Sequence, residues 1–405
     1  MLYPHQEISK EFLLKTKRAI LADEPRVGKT LPTAAAALEH LPALIICPAI
    51  VKNVWKQAFE RLGYTGNIRV INGKAAAKEA STDGITVINY DVLGSLNDLG
   101  QYQTLVLDES HRIKSPKTIR TIAAMKWMKR IPRVYALSGT PIPNRPIELW
   151  PLLHGLGVYR GGWYDFGLRY AKLWNAPWGL DTSGASNLPE LRAIMQPVTL
   201  RRTKAEIFKD YQHPITSLVT FDLPIDKRET KFSADALIEH PNPMLAFEGL
   251  SEVMREAGIR KVKPAAEFIE SKLADEPVIV FAHHKDVVHE LATILKDHKP
   301  SIITGDTPAS ARQKLIGDFQ NGTTKLFIGN LAACQEGIDL SAADTVIFVE
   351  ATWQTSALLQ ASSRVENINK TATAPLIYLL TISNSLDHTI LAKILKKQNI
   401  INQII

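Results

Sequence analysis

A chain of 405 residues, 45% hydrophobic and 22% charged, is expected to be globular throughout and to hold two domains of ordinary size. No apolar run reaches membrane-spanning length, the start Met-Leu-Tyr-Pro-His-Gln carries no signal-peptide pattern, and two cysteines in apolar contexts give no metal-ligand spacing. The net charge of +7 is uneven: residues 263–405 hold 13 Lys/Arg against 15 Asp/Glu, so residues 1–262 hold 48 − 13 = 35 against 41 − 15 = 26.

An apolar run leads into Leu21-Ala-Asp-Glu-Pro-Arg-Val-Gly-Lys-Thr30, and helical spacing follows over Ala34 to Leu38. Gly28 would let backbone amides approach a phosphate, Lys29 would neutralise it, and Thr30 would ligand Mg2+ at a helix N-terminus. Leu44 to Cys47 reads as a short buried strand ending at Pro48. Val51 to Leu62 has helical spacing, with Val51, Val54, Trp55, Ala58, Phe59 and Leu62 on one face. Ile85–Ile88 and Leu105–Leu107 read as further buried strands. The second of these ends in Asp108-Glu109-Ser-His111. Two adjacent carboxylates at a strand end are costly unless a cation sits there. Asp108 would hold Mg2+ through water, and Glu109 would orient and deprotonate an attacking water. An isolated Gly-Lys-Thr is a weak signal, but the acidic pair about 80 residues later makes a nucleotide site the expected reading.

Residues 112–133 hold eight Lys/Arg and no acid: Arg112, Lys114, Lys117, Arg120, Lys126, Lys129, Arg130 and Arg133. A local excess of this kind suits a polyanion, and a solvated helix face would look the same. Ser115-Pro116 predicts a helix start, with Ile119, Ala123 and Trp127 on one side and Lys126, Lys129 and Arg130 on another. Val134 to Leu137 is again strand-like. Residues 146–262 differ, with four of the seven Trp and few β-branched runs, and are expected to form a mainly helical insertion bridging two sheets. Strand-like segments return at 278–281, 302–303, 325–328, 345–349 and 376–379. Short apolar strands alternating with helices predict an α/β fold with parallel sheets. Two such units, 1–145 and 263–405, would flank a nucleotide cleft.

In order and spacing these motifs resemble a superfamily-two helicase core of the Snf type, the double-stranded DNA translocases, and most of all the small branch with annealing helicases and phage members. Tyr3-Pro-His-Gln6 resembles the adenine-reading motif, with Gln6 as reader. Ala22–Thr30 resembles motif I, Cys47–Trp55 motif Ia, Val87-Ile-Asn-Tyr90 motif Ib, and Asp108–His111 a DExH box. Ser138-Gly-Thr140-Pro resembles motif III, and Leu200-Arg-Arg-Thr-Lys204 a family segment of the helical region. Val280–Lys285 resembles motif IV, Cys334–Leu340 with Gly337 and Asp339 motif V, and Gln360-Ala-Ser-Ser-Arg364 the start of motif VI.

The resemblance implies RecA-like domains, ATP and Mg2+ as ligands, and double-stranded DNA as partner. It places Lys29, Asp108, Glu109 and Arg364 in catalysis, and Gln6, Gly28, Lys29, Thr30, Gly337 and Asp339 at the nucleotide. Lys114, Lys117, Arg120, Ser138 and Thr140 fall on the DNA side. One departure stands out. The motif VI pattern Gln-x-x-x-Arg-x-x-Arg has Asn367 at its second arginine, and Lys370 follows. Losing an arginine finger can lower a rate by roughly 10³–10⁵, so an ATP-gated DNA-binding module with weak turnover is a rival. A strand-separating helicase and a nucleotide-binding protein without nucleic acid are the others. A cytoplasmic monomer of a bacterial host or phage-infected cell is expected, targeted by a recruiting protein or by DNA structure. His283-His284 lacks an acid or Cys cluster in sequence and is not expected to bind metal.

Overall fold

Residues apolar on both faces of an extended segment can be buried only between two layers, and strands of this kind build both sheets. The structure, a computed structural model, describes residues 2–78, 83–96, 102–139, 145–176, 179–234, 237, 247–334, 338–350 and 374–392. It divides into two units, the first running to Ile207 and the second starting at Phe208.

In the first unit the strands are β1 (Arg18–Leu21), β2 (Ala43–Cys47), β3 (Ile68–Val70), β4 (Ile85–Asn89), β5 (Thr104–Leu107), β6 (Arg133–Leu137) and β9 (Thr199–Leu200). They form one sheet in the order β3-β4-β2-β5-β6-β1-β9, with every pairing parallel. A separate two-stranded hairpin joins β7 (Trp174–Ala176) and β8 (Gly179–Asp181). Alternation along the strands makes two cores. Leu21, Ile45, Val106, Tyr135 and Leu137 pack under α1 (Pro4–Thr16), α2 (Thr30–Leu38) and α3 (Lys52–Arg61). Ile20, Ile46, Leu105, Leu107 and Ala136 pack on the other face with Trp127, Met128, Leu152 and Leu153. Each Leu, Ile, Val or Met among them contributes about 1.5–3 kcal/mol on burial.

That second face draws on residues beyond 145. After the short α4 (Lys74–Lys78), α5 (Ile119–Arg130) covers only part of the face. The rest is roofed by α6 (Trp150–Leu156), α7 (Trp163–Tyr170) and α8 (Leu188–Met195), whose Leu152, Phe166, Tyr170 and Leu191 join the same core. Arg18, at the start of β1, ties this roof down. Its guanidinium donates to the carbonyls of Met128 (2.7 Å), Ile131 (2.8 Å), Gly155 (2.7 Å) and Leu156 (3.0 Å), which lie at the C-terminal ends of α5 and α6. One cation thus serves carbonyls that two helices leave unpaired. The helix predicted from Ser115-Pro116 starts at Ile119 instead. Thr118 is its N-cap residue in extended backbone, its hydroxyl donating to the Ser115 carbonyl (3.1 Å). Ile119, predicted on the apolar side, is 80% exposed.

In the second unit β10 (Ile215–Phe221), β11 (Val278–Ala282), β12 (Ser301–Ile303), β13 (Leu326–Asn330), β14 (Thr345–Phe348) and β15 (Leu376–Ile382) form an all-parallel sheet ordered β10-β15-β14-β11-β13-β12. With α9 taken as Lys204–Ile207, the next long helix, α10 (Leu250–Leu273), belongs here. Its Val262, Ala265, Ile269 and Leu273 pack on Val278, Val280, Ile347 and Leu380. Lys261 of α10 is fully buried and donates to Asp387 Oδ2 (2.6 Å) and to the Leu380 carbonyl (3.1 Å). Beside it buried Glu229 accepts from Arg260 (2.9 Å) and from the Leu386 backbone (2.7 Å).

Candidate functional site

The loops after β1, β5 and β6 leave the C-terminal ends of neighbouring strands, the edge where parallel α/β sheets place ligands. The loop after β1 ends in Gly28, Lys29 and the first residue of α2, Thr30. Gly28 has φ +87°, backbone that favours glycine, and a Cβ there would stand 2.7 Å from Gln6 Nε2 and push that amide aside. Gln6 closes on it, donating from Nε2 to the Gly28 carbonyl (3.0 Å) while its Oε1 accepts from the Tyr3 backbone (3.0 Å). His5 Nε2 donates to the Val27 carbonyl (3.1 Å). Lys29 Nζ donates to the carbonyls of Asp23 (2.7 Å) and Glu24 (3.0 Å). Burial pulls its pKa down, and the carboxylates of Glu109, Asp23 and Asp108 oppose that shift.

Asp108 follows β5 directly. Its Oδ2 accepts from Trp55 Nε1 (2.8 Å), its Oδ1 from the Glu109 backbone (3.1 Å), and its carbonyl from the Tyr90 hydroxyl (2.7 Å). Burial first, and the adjacent Glu109 second, push its carboxyl up to about 7. Glu109 takes left-handed backbone (φ 51°), a conformation that a non-glycine residue adopts at some cost and that functional sites often hold. His111 Nδ1 lies 3.3 Å from Glu109 Oε2 and 3.1 Å from the hydroxyl of buried Ser138. One imidazole nitrogen therefore spans the loops after β5 and β6. At Gly139 an added Cβ would stand 2.8 Å from the Pro25 ring, so the β6 loop also abuts the loop after β1.

A pH test follows from Asp108. Between about pH 4 and 7 the folded chain holds a proton here that the unfolded chain has released. The contribution of Asp108 to stability is therefore present at low pH and is lost as pH rises through about 7. Asp108→Asn removes this loss. In EDTA the melting temperature of the variant is expected to gain on the wild type from pH 5 to pH 8. Parallel curves would overturn the assignment.

Residues the sequence reading left in a helical region complete the site. The segment Leu200–Lys204 lies along β1, with Ala22 N donating to Leu200 O (2.7 Å) and Glu24 N to Arg202 O (3.1 Å). Arg202 pairs with Asp23, Lys204 N donates to Glu24 Oε2 (2.9 Å), and Arg201 donates to the Ala22 carbonyl (3.3 Å). Burial lowers Lys204 to about 7, with Lys29 and Arg26 adding to the shift and Glu24 opposing it. Trp55, read on an apolar helix face and at the end of motif Ia, and Tyr90, read at the end of motif Ib, were given no partner by the sequence, yet both hydrogen-bond to Asp108. A buried Trp N–H or Tyr O–H needs a partner, and that requirement is the signal that could have found them.

The structure thus gathers Gln6, Gly28, Lys29, Thr30, Asp108, Glu109 and Ser138 at one edge of the first sheet. Lys114 and Arg120 are half-buried and Lys117 is exposed, all just beyond the Asp108 loop, with Arg120 3.9 Å from Asp91. Asp339 is an exposed residue of the second unit, where its Oδ1 accepts from the Ser341 backbone (3.2 Å). In that unit His283 N, His284 N and His284 Nδ1 all meet the buried Glu350 carboxylate, at 2.6–2.8 Å. Thr140, Gly337, Arg364, Asn367 and Lys370 lie outside the described residues. No described helix is long and apolar enough to cross a membrane.

Residues 5–240 match the SNF2-related domain family, and residues 260–369 match the helicase conserved C-terminal domain family. The SWI/SNF-related matrix-associated actin-dependent regulator of chromatin subfamily A-like protein 1 of Xenopus laevis is 31% identical over 96% of this chain and 42% of its own length. The DNA annealing helicase and endonuclease ZRANB3 of Homo sapiens is 27% identical over 94% of this chain and 38% of its own. The chain therefore spans less than half the length of these relatives. A solved structure, the Sulfolobus solfataricus SWI2/SNF2 ATPase core in complex with dsDNA, aligns over 100% of this chain and 93% of its own at 22% identity, with a TM-score of 0.48.

Proposed function

From the premise that the chain belongs to the SNF2-related family of superfamily-two helicase-like ATPases, we propose that it is an ATP-driven translocase on double-stranded DNA. The observation that carries this reading is the convergence of Lys29, Asp108, Glu109 and Ser138 on one sheet edge, followed in sequence by the basic stretch 112–133.

Lys29 would leave the Asp23 and Glu24 carbonyls for the β- and γ-phosphates of ATP. Thr30 and Asp108 supply a hydroxyl and a carboxylate, oxygen donors that suit Mg2+. No cluster of three or more His, Cys, Asp or Glu among the described residues could hold a metal alone, and a magnesium held mainly by phosphate oxygens and water needs none. Bound there, Mg2+ would neutralise charge on the phosphates. Glu109 orients the attacking water and takes its proton, and the strained backbone at Glu109 fixes where that carboxylate points. His111 and Ser138 then carry the state of the Glu109 carboxylate to the loop after β6. Gln6 reads adenine, and Arg364 supplies the remaining cation. Lys114, Lys117 and Arg120 meet the DNA phosphates, as their charge and position favour.

The test is the ATP turnover rate without polymer and with duplex DNA, single-stranded DNA or RNA. Strong stimulation by duplex DNA is expected. Nucleotide binding with negligible turnover on every polymer would favour the second reading, an ATP-gated DNA-binding module, which Asn367 at the second motif VI arginine supports.

A further inference from the structure

The loop after β1 departs from the usual phosphate-binding pattern at its first position, where Asp23 stands in place of glycine. Its side chain is 1% exposed and is gripped by Arg202: Nε donates to Oδ1 (3.1 Å) and Nη2 to Oδ2 (2.5 Å). The same guanidinium donates to the His5 carbonyl (2.9 Å) and to the hydroxyl of buried Ser9 (2.5 Å), both on α1. Asp23 is also the residue whose carbonyl holds Lys29 Nζ (2.7 Å). Arg202 therefore reaches Lys29 through a single residue.

A buried ion pair adds little net stability, because desolvating both charges offsets their attraction. A planar, two-pronged pair does fix geometry. The surrounding backbone agrees. The amides of Ala22 and Glu24 are spent on Leu200 and Arg202, and the carbonyls of residues 22–24 are taken by Arg201 and Lys29. The first half of the loop is thus anchored by Leu200–Lys204, and the second half by His5 and Gln6.

We infer that Arg202 is a positioning residue for nucleotide binding. By clamping Asp23 against α1 it holds the loop in the shape from which Lys29 meets the phosphates, replacing the conformational role of the absent glycine. The inference rests on the nucleotide-site reading above.

The test compares the wild type with Arg202→Lys, Arg202→Met, Asp23→Gly and the double variant Asp23→Gly/Arg202→Met, with Lys29→Ala as the site control. Arg202→Lys keeps the charge and loses the fork. It is expected to raise the KM for ATP and the Kd for ADP by about tenfold or more, the scale of a lost charged hydrogen bond. The kcat at saturating ATP and the affinity for duplex DNA stay near wild type. In the Asp23→Gly background, Arg202→Met is expected to add little, since the residue it acts through is gone. A folded Arg202→Lys that binds ADP like the wild type, or additive losses in the cycle, overturns the inference. Melting curves identify any variant that does not fold. If Arg202→Met is one, Asp23→Asn takes its place and must raise the same KM. ADP binding unaffected by Lys29→Ala would sink the site reading itself. Binding lost in Lys29→Ala but intact in Arg202→Lys would sink only the role of Arg202.

Discussion

Glu109→Gln is expected to abolish most ATP turnover, by about 10²–10⁴-fold, while leaving nucleotide binding intact. The substitution keeps the size of the side chain and removes its basicity, so what is lost is proton acceptance and the orientation of water. Binding should survive because the residues proposed to hold the nucleotide, Lys29 and Gly28 of the loop after β1 and Gln6 of α1, are untouched. A second readout is independent of turnover. Glu109 is the second cause of the raised Asp108 pKa, after burial, so in Glu109→Gln the carboxyl of Asp108 falls back toward the ordinary range. The pH at which metal-free stability declines should shift to lower values with it. Turnover within a few-fold of wild type, measured with duplex DNA present, would remove Glu109 from the chemistry and direct attention to His111.

Lys261→Met should be the most damaging single change to the second unit, by roughly 3–5 kcal/mol, because it leaves Asp387 buried without its cation. Both side chains are 1% exposed and 2.6 Å apart, and the ammonium also serves the Leu380 carbonyl of β15. The pair pins α10 to the segment after β15, with Glu229, Arg260 and Leu386 doing the same beside it. Lys261→Met/Asp387→Leu should recover much of the loss, since apolar groups of similar volume replace a buried pair at little cost. Arg169→Ala provides the contrast. It breaks a two-pronged contact to Glu190, but both partners are solvent-exposed, so the expected loss is small beside that of Lys261→Met. Urea unfolding of the three variants checks the order. A Lys261→Met as stable as Arg169→Ala would show that water reaches Asp387.

The candidate site of the first unit was legible as a place in the fold because its loops interrupt apolar strands. Leu105–Leu107 running into Asp108-Glu109 could only be a buried strand stopping at a polar edge, and the strand is there with Asp108 next after it. The same apolar runs predicted β2, β4, β6, β11 and β14 to within a residue or two. The failures are equally physical. β9 has only two residues, and nothing local distinguishes Thr199-Leu200 from a turn. Its strand state comes from pairing with Ile20 and Leu21, some 180 residues away. Leu200–Lys204 was named as a family segment, but the contacts of Arg202 and Lys204 with the loop after β1 were hidden with β9, since charged residues in a polar stretch read as surface until their partners are known. Ile119 and Val54 went the other way. Both fit an apolar helical face, yet they are 80% and 46% exposed, because periodicity gives a face and does not say how wide the core beneath it is. Composition changes near 145, but a sheet face has to be covered wherever its cover lies in sequence, and α6, α7 and α8 supply part of it.

The position of β1 between β6 and β9 bears on how this chain can be cut, grafted or assembled during synthesis. A fragment ending at residue 145 would present β1 as a bare edge, with the amides of Ala22 and Glu24 and the Asp23 carboxylate stripped of partners that arrive only at 200–202. Edges of that kind invite pairing with other chains. A ribosome therefore exposes an unfinished β1 loop for as long as it takes to add the next 57 residues, 145 to 202. A fragment that stops at Ile207 carries the whole loop and both of its anchors.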